Sequence, residues 1–243
     1  MAIGVADLRL GTARAGCRML SLLLGRRPVP LRAMLALRRL GGRRDALLPA
    51  WASETMALGP AGLDFLGKCL RRSAPSTVLE FGSGDSTIQM ARVLADIHGD
   101  EDVHVRSVDQ DAGFADQSRA RLAAAGLNAV VAHCELVNQP TPDGETLSYD
   151  LDEEFMTTLL PAGGPDMVVI DGPSGDRRVR YPVLPLVQPY LAGETPFLLH
   201  DGLRDYELGV AALWRRLPGV SVEGVHVLDE GFVAGTAKPP GSN

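Results

Sequence analysis

A chain of 243 residues, 45% hydrophobic and 22% charged, can bury a full core, and its length fits one catalytic-sized α/β domain with an extension. Its three cysteines, Cys17, Cys69 and Cys134, lie far apart without CxxC or Cys/His spacing. That odd, scattered set argues against a disulfide framework or a zinc site and fits reduced, buried thiols in a cytoplasmic setting. The net charge of −6 hides an asymmetry: residues 1–45 hold ten arginines against only Asp7 and Asp45, so the remainder carries about −14.

In chain order, the first element is this arginine-rich arm, taken as residues 1–50. Its longest apolar stretch, "MLSLLLG", falls far below the ~20 residues that a membrane span needs. An arginine-flanked apolar core also suits a secretory signal, and an acid-poor amphipathic arm a mitochondrial presequence. Yet the arginines continue past the apolar stretch and no small-residue cleavage site stands out. "LRAMLALRRL" puts Leu31, Met34, Leu35 and Leu37 to one side and arginines to the other. The arm therefore reads as a helical cap, with peripheral contact to an anionic membrane surface or to an acidic partner as alternatives.

From Trp51 the periodicity changes. "STVLEF", "VHVRSVD", "NAVVAH", "DMVVID" and "TPFLLHD" are short β-branched or aromatic-rich runs between segments of helical period. That alternation predicts a parallel sheet with helices on both faces. The first connection is a helix capped by Asp85 or Ser86, and the second ends at a C-cap glycine, Gly126. The third begins as a polar loop, "NQPTPDGETLSYD", and allows only a short helix before Pro161. Prolines 182, 185 and 189 argue against a regular helix in the fourth. After a helix in "RDYELGVAALWRRL", two strand-like runs meet at "DEG" and predict a terminal antiparallel hairpin. The α/β domain is thus 51–238, with 239–243 a tail.

"TVLEFGSGDST" carries the first functional signal. A glycine loop after a buried strand usually cradles phosphate at a helix N-terminus, where a carboxylate would repel it. Here Glu80 and Asp85 bracket the loop, and Thr87 replaces the third glycine of G-x-G-x-x-G. Acids with close backbone approach suit a ligand bearing a sulfonium and an ammonium, which is S-adenosylmethionine. Asp109 ends the second strand-like run about 25 residues after Gly84, where an acid accepts hydrogen bonds from ribose hydroxyls. The plain alternative is that Glu80 and Asp109 are strand-end turn residues and Gly82 and Gly84 a tight turn.

Together "VLEFGSGDST", "SVDQD", "DMVVIDGPSG" and "LLHDGLRDYE" resemble the class I S-adenosylmethionine-dependent methyltransferases over about Trp51 to Lys238. The resemblance is nearest to O-methyltransferases of the polysaccharide (glucuronoxylan) or the catechol/caffeoyl type. It implies a Rossmann-like, mostly parallel sheet with a C-terminal antiparallel hairpin. It also implies that Glu80, Gly82, Ser83 and Gly84 face the methionine part of the cofactor, Asp109 the ribose, and residues 133–135 the adenine. The catechol and caffeoyl type holds a divalent cation with an acid after strand four and an Asp-Asn pair after strand five. Asp171 and Asp201 match, but Gly202 stands where the Asn would be, so a cation-free reaction is the favoured expectation.

Methyl transfer is an in-line displacement, and the protein's task is to align an acceptor oxygen and take its proton. Asp171, His200 and Asp201, at the carboxyl ends of neighbouring strands, are the candidate catalytic residues, with His200 as a base near neutrality. Each also has a structural role open to it: Asp171 as a turn cap, Asp201 as the partner of Arg204. The expected substrate is a hydroxylated small molecule or saccharide, not a nucleic acid. Two alternatives stand beside this reading. One is a polyamine-synthase-like aminopropyltransferase, against which the basic Arg177, Arg178 and Arg180 count. The other is a non-catalytic module that keeps the cofactor fold for partner binding.

Overall fold

The structure is a computed structural model that describes residues 5–24, 27–42, 45–48, 58–99, 104–175 and 178–241. The junction predicted near residue 50, the arginines Arg26, Arg43, Arg44 and Arg177, and the last two tail residues lie outside the described residues. Two helices, α1 (Val5–Leu24) and α2 (Leu31–Gly41), precede α3 (Pro60–Ser73). Then strands and helices alternate: β1 (Thr77–Phe81), α4 (Asp85–His98), β2 (His104–Asp109), α5 (Ala112–Ala124) and β3 (Val130–His133). After β4 (Leu136–Thr141), β5 (Gly144–Tyr149) and α6 (Glu153–Leu159) come β6 (Met167–Ile170), α7 (Val183–Val187) and β7 (Thr195–His200). The chain closes with α8 (Asp205–Trp214), β8 (Val220–His226) and β9 (Phe232–Ala237).

Seven strands form one sheet in the order β3-β2-β1-β6-β7-β9-β8. The first five are parallel, and β9 runs antiparallel to both β7 and β8, so the predicted sheet and terminal hairpin are present. Side chains alternate across it with the strand period of two. Leu79, Phe81, Val168, Ile170, Phe197 and Leu199 enter one core cluster. Val78, Val169 and Leu198 enter the other. Helices α3, α4 and α5 cover the second face, whereas α1, α2, α6 and α8 cover the first. Burying each such aliphatic side chain stabilises by about 1.5–3 kcal/mol.

The arginine-rich arm shares that first core. Ala13, Cys17, Leu31 and Met34 are buried in it, and Val29 exchanges two backbone hydrogen bonds of 2.8 Å with Val225.

Two local readings differ from expectation and two agree with it. The polar stretch 138–150 is not a loop: it belongs to the β4–β5 hairpin, where Thr146, Ser148 and Tyr149 are buried. Polar residues on its inner face hide the alternation that marks a strand. Helix α4 is entered through Gly84, whose N–H donates to Thr87 Oγ1 at 2.9 Å, because Ser86 and Asp85 are engaged elsewhere. The proline-rich fourth connection is as broken as its sequence demands, with α7 lasting five residues before a 3₁₀ turn. At the end of α5, Gly126 has φ +63° and lets the chain turn out of the helix.

Candidate active site

The carboxyl ends of β1, β2, β6 and β7 open onto one cavity of about 660 Å³. On its first wall, the chain leaving β1 turns at Gly82, whose φ is +91°. Its N–H donates to Val108 O at 2.8 Å, and Phe81 O accepts from Gly172 N–H at 2.7 Å. A Cβ on Gly82 would stand 2.9 Å from Gly172 N, so glycine is needed here for two loops to touch. Gly84, by contrast, has no heavy atom within 4 Å of where a Cβ would lie. Ser83 is pinned by Asp109: Oδ2 accepts from Ser83 N–H at 2.8 Å and from its hydroxyl at 2.7 Å, while Oδ1 accepts from Asp111 N–H at 2.9 Å. Ser118 Oγ donates to Ser83 Oγ at 3.0 Å. Asp109 thus fixes the loop and keeps an acceptor position on Oδ1.

The acids bracketing the loop part company. Asp85 sits on the cavity rim in an ion pair with Arg121. Glu80, expected from sequence to face a cofactor, is not among the residues that line the cavity. Its carboxylate is fully buried beneath the loop, where the hydroxyls of Ser86 and Thr87 donate to it. Burial pushes its pKa up to about 7 against the pull of those hydroxyls. Residues 133–135 are also absent from the wall, because the chain passes straight from β3 into the β4–β5 hairpin; Phe114 and Gln117 of α5 stand on the wall instead.

The opposite wall brings the three predicted catalytic residues together. His200 Nδ1 lies 2.8 Å from Asp171 Oδ1 and 3.7 Å from Asp201 Oδ1. Four further charged residues complete the cluster. Arg180 places one guanidinium nitrogen 3.0 Å from Asp201 and the other 3.3 Å from Asp171, and lies 3.8 Å from Glu207. Glu230, from the turn before β9, lies 3.7 Å from His200 Nε2. Arg204 meets Asp201 at 3.1 Å, the pairing expected from sequence. Arg180, Glu207 and Glu230 escaped the sequence reading as site residues; the quoted motif "LLHDGLRDYE", which contains Glu207, was the one signal for it.

This packing sets the protonation states. Burial alone would lower the pKa of His200, but Asp171, Glu230 and Asp201 outweigh it and raise the imidazole to about 10. Burial likewise opposes ionisation of Asp171, yet His200, Arg180 and Arg204 together bring it down to about 2. The raised pKa of His200 favours an imidazolium at neutral pH over the neutral base expected from sequence. Glu207 is pushed up to about 7 by burial, with Arg180 pulling the other way.

Asp171, His200 and Asp201 offer donor atoms within 4.8 Å of one another, close enough to consider a metal ion. They do not fit one. Arg180 already spans both carboxylates, and His200 holds a proton that a metal would have to displace. A Cβ at Gly202 would lie 2.8 Å from Val233 N, so the position of the missing Asn is closed by β9.

The fold is that of solved methyltransferases: a Rossmann-like, mostly parallel sheet ending in an antiparallel hairpin, here with a cavity at its carboxyl edge. Among solved structures, the chain is similar to an O-methyltransferase of Bacillus cereus in complex with SAH, at 19% identity over 94% of this chain and 100% of that one, with a TM-score of 0.57. It is similar to the O-methyltransferase TomG of Streptomyces achromogenes, involved in tomaymycin synthesis and solved with SAM, at 16% identity over 94% and 98% of the two chains and TM-score 0.55. An SAH-bound methyltransferase of Podospora anserina aligns at 13% identity over 98% and 99%, also with TM-score 0.55. No protein-family model and no curated protein matches the sequence. At these identities the likeness is one of fold.

Proposed function

We propose that this chain is an S-adenosylmethionine-dependent methyltransferase that methylates a hydroxyl oxygen of a small molecule or saccharide. The observation that carries the reading is the juxtaposition, across one cavity, of an Asp109-pinned glycine loop and a charged cluster at the neighbouring strand ends. The donor set suits the cofactor. Asp109 retains an acceptor for ribose hydroxyls, and Gly84 borders open space. When bound, the cofactor supplies an activated methyl group.

The remaining work falls to side chains. Asp171, one-fifth exposed, accepts the hydrogen bond of the substrate hydroxyl and orients it. His200 and Arg180 hold Asp171 in place, and Arg180 and Arg204 hold Asp201. Glu207 lines the cavity with Oε2 unpartnered. With its pKa at about 7, it is the carboxylate matched to take the proton at neutral pH. Aminopropyl transfer is the weaker reading: Glu207 and Glu230 do supply acid, but Arg180 and the His200 imidazolium lie among them and would repel a polyamine.

The test is titration calorimetry with S-adenosylmethionine followed by a methyl-donor assay against hydroxylated small molecules and saccharides, with and without EDTA. Binding and chelator-insensitive transfer are expected. A chain that takes up no heat with S-adenosylmethionine would be a binding module, and the proposal would fall.

A further inference from the structure

We propose that α1 is a membrane-docking helix that lays its outer face on an anionic lipid surface. The helix has two apolar faces. One packs inward through Ala13, Cys17, Leu20 and Leu24. The other faces solvent: Val5, Leu8, Met19, Leu22 and Leu23 are between 58% and 82% exposed. A helix turns about 100° per residue, which gathers these five side chains into an arc of about 100°, well separated from the packed face. Among the described residues, five of the nine exposed large hydrophobic side chains lie on this one helix. That concentration makes an organised band rather than the scattered apolar residues any surface carries.

Charge identifies the occupant. By the same helical geometry Arg9 borders the band on one side and Arg18 on the other. Both are exposed, and neither forms an ion pair among the described residues. Aliphatic side chains between exposed arginines match acyl chains beneath anionic headgroups. The rest of the chain carries about −14, so such a surface repels every other face and selects this edge. The helix lies along the surface rather than through it, since its inner face belongs to the core and no described helix is long and apolar enough to cross a membrane.

The experiment is co-sedimentation of the full chain with vesicles of phosphatidylcholine alone and of equimolar phosphatidylcholine and phosphatidylglycerol, at low and raised salt. Its readout is independent of methyl transfer. Partition into the anionic vesicles that weakens with salt is expected. The Leu22→Ser/Leu23→Ser double variant should reduce it at least about tenfold, from lost apolar burial. Arg9→Gln and Arg18→Gln should each reduce it about fivefold. All four side chains are exposed, so an unchanged Tm verifies that these variants fold. Three results would overturn the proposal: no partition into anionic vesicles, equal partition of the leucine variant, or a solution dimer that the leucine variant dissociates.

Discussion

His200 Nδ1 stands 2.8 Å from Asp171 Oδ1, while its other ring nitrogen lies 3.7 Å from Glu230. A buried imidazole between carboxylates holds its proton, and the raised pKa is a stability term. The folded value of about 10 exceeds the ordinary 6.5, so this contribution is fully present below pH 6.5 and is lost as pH rises to about 10. Glu80 acts in the same direction at lower pH: its raised pKa costs stability as pH climbs from 4.5 to about 7. Asp171, depressed to about 2, loses its contribution only in strong acid. We therefore expect Tm to fall between pH 6.5 and 10, and the His200→Gln variant, less stable at pH 6, to lose most of that slope. Parallel slopes for the two proteins would show that His200 is neutral.

Asp109 has two tasks, since the carboxylate that would receive ribose hydroxyls also receives both hydrogen-bond donors of Ser83. Replacing Asp109 by Ala should weaken S-adenosylmethionine binding by about 1–3 kcal/mol, the cost of unpaired polar groups. Ser83→Ala, which removes one loop contact and leaves the carboxylate, should weaken it less. Calorimetry that finds the Asp109→Ala affinity unchanged would remove the ribose assignment.

Gly82 separates a packing requirement from a ligand requirement. Its φ of +91° and the 2.9 Å approach of a virtual Cβ to Gly172 N both fall on the backbone of the neighbouring loop, not on the cavity. Gly82→Val should therefore destabilise the whole fold by about 2–5 kcal/mol. Denaturant unfolding is the measure, and a variant of native stability that merely fails to bind cofactor would contradict it.

Removal of residues 1–42 is expected to do more than free a tail. It strips Ala13, Cys17, Leu31 and Met34 from a core shared with Leu208 and Val225, and breaks the ion pair of Arg38 with Asp205. The truncated chain should lose cooperative thermal unfolding, followed by circular dichroism. Unchanged cooperativity would mean the arm is a cover rather than part of the core.

The contrast between what could and could not be read in advance has physical causes. "TVLEF" and "MVVI" are buried on both faces, and uninterrupted β-branched runs announce that directly. Asp109, Asp171, His200 and Asp201 each follow such a run, so chain position alone places them at one sheet edge. The partners of those residues have no such marker. Arg180 comes from an irregular connection, Glu207 from the first turn of α8 and Glu230 from a turn between β8 and β9; only the completed sheet makes them neighbours. The charge of His200 was hidden for the same reason, because an imidazole's charge is set by surrounding groups and not by its place in the sequence.

Glu207 is the group on which the proposed reaction turns. It lines the cavity from α8, 3.8 Å from Arg180, with one buried carboxylate oxygen unpartnered and a pKa raised to about 7. A base must be deprotonated to act, so the rate should rise with pH, reach half its maximum near 7 and level off above that, then fall as His200 loses its proton near 10. Glu207→Gln keeps the shape, removes the base, and should lower kcat by roughly 10²–10⁴-fold with cofactor affinity intact. His200→Gln should instead act through Asp171, raising KM for the acceptor and erasing the alkaline limb. EDTA should change neither profile, because Arg180 occupies the space between the two carboxylates that a cation would need. A Glu207→Gln enzyme with normal kcat and an unshifted acid limb would leave Asp171 and alignment alone to explain the chemistry.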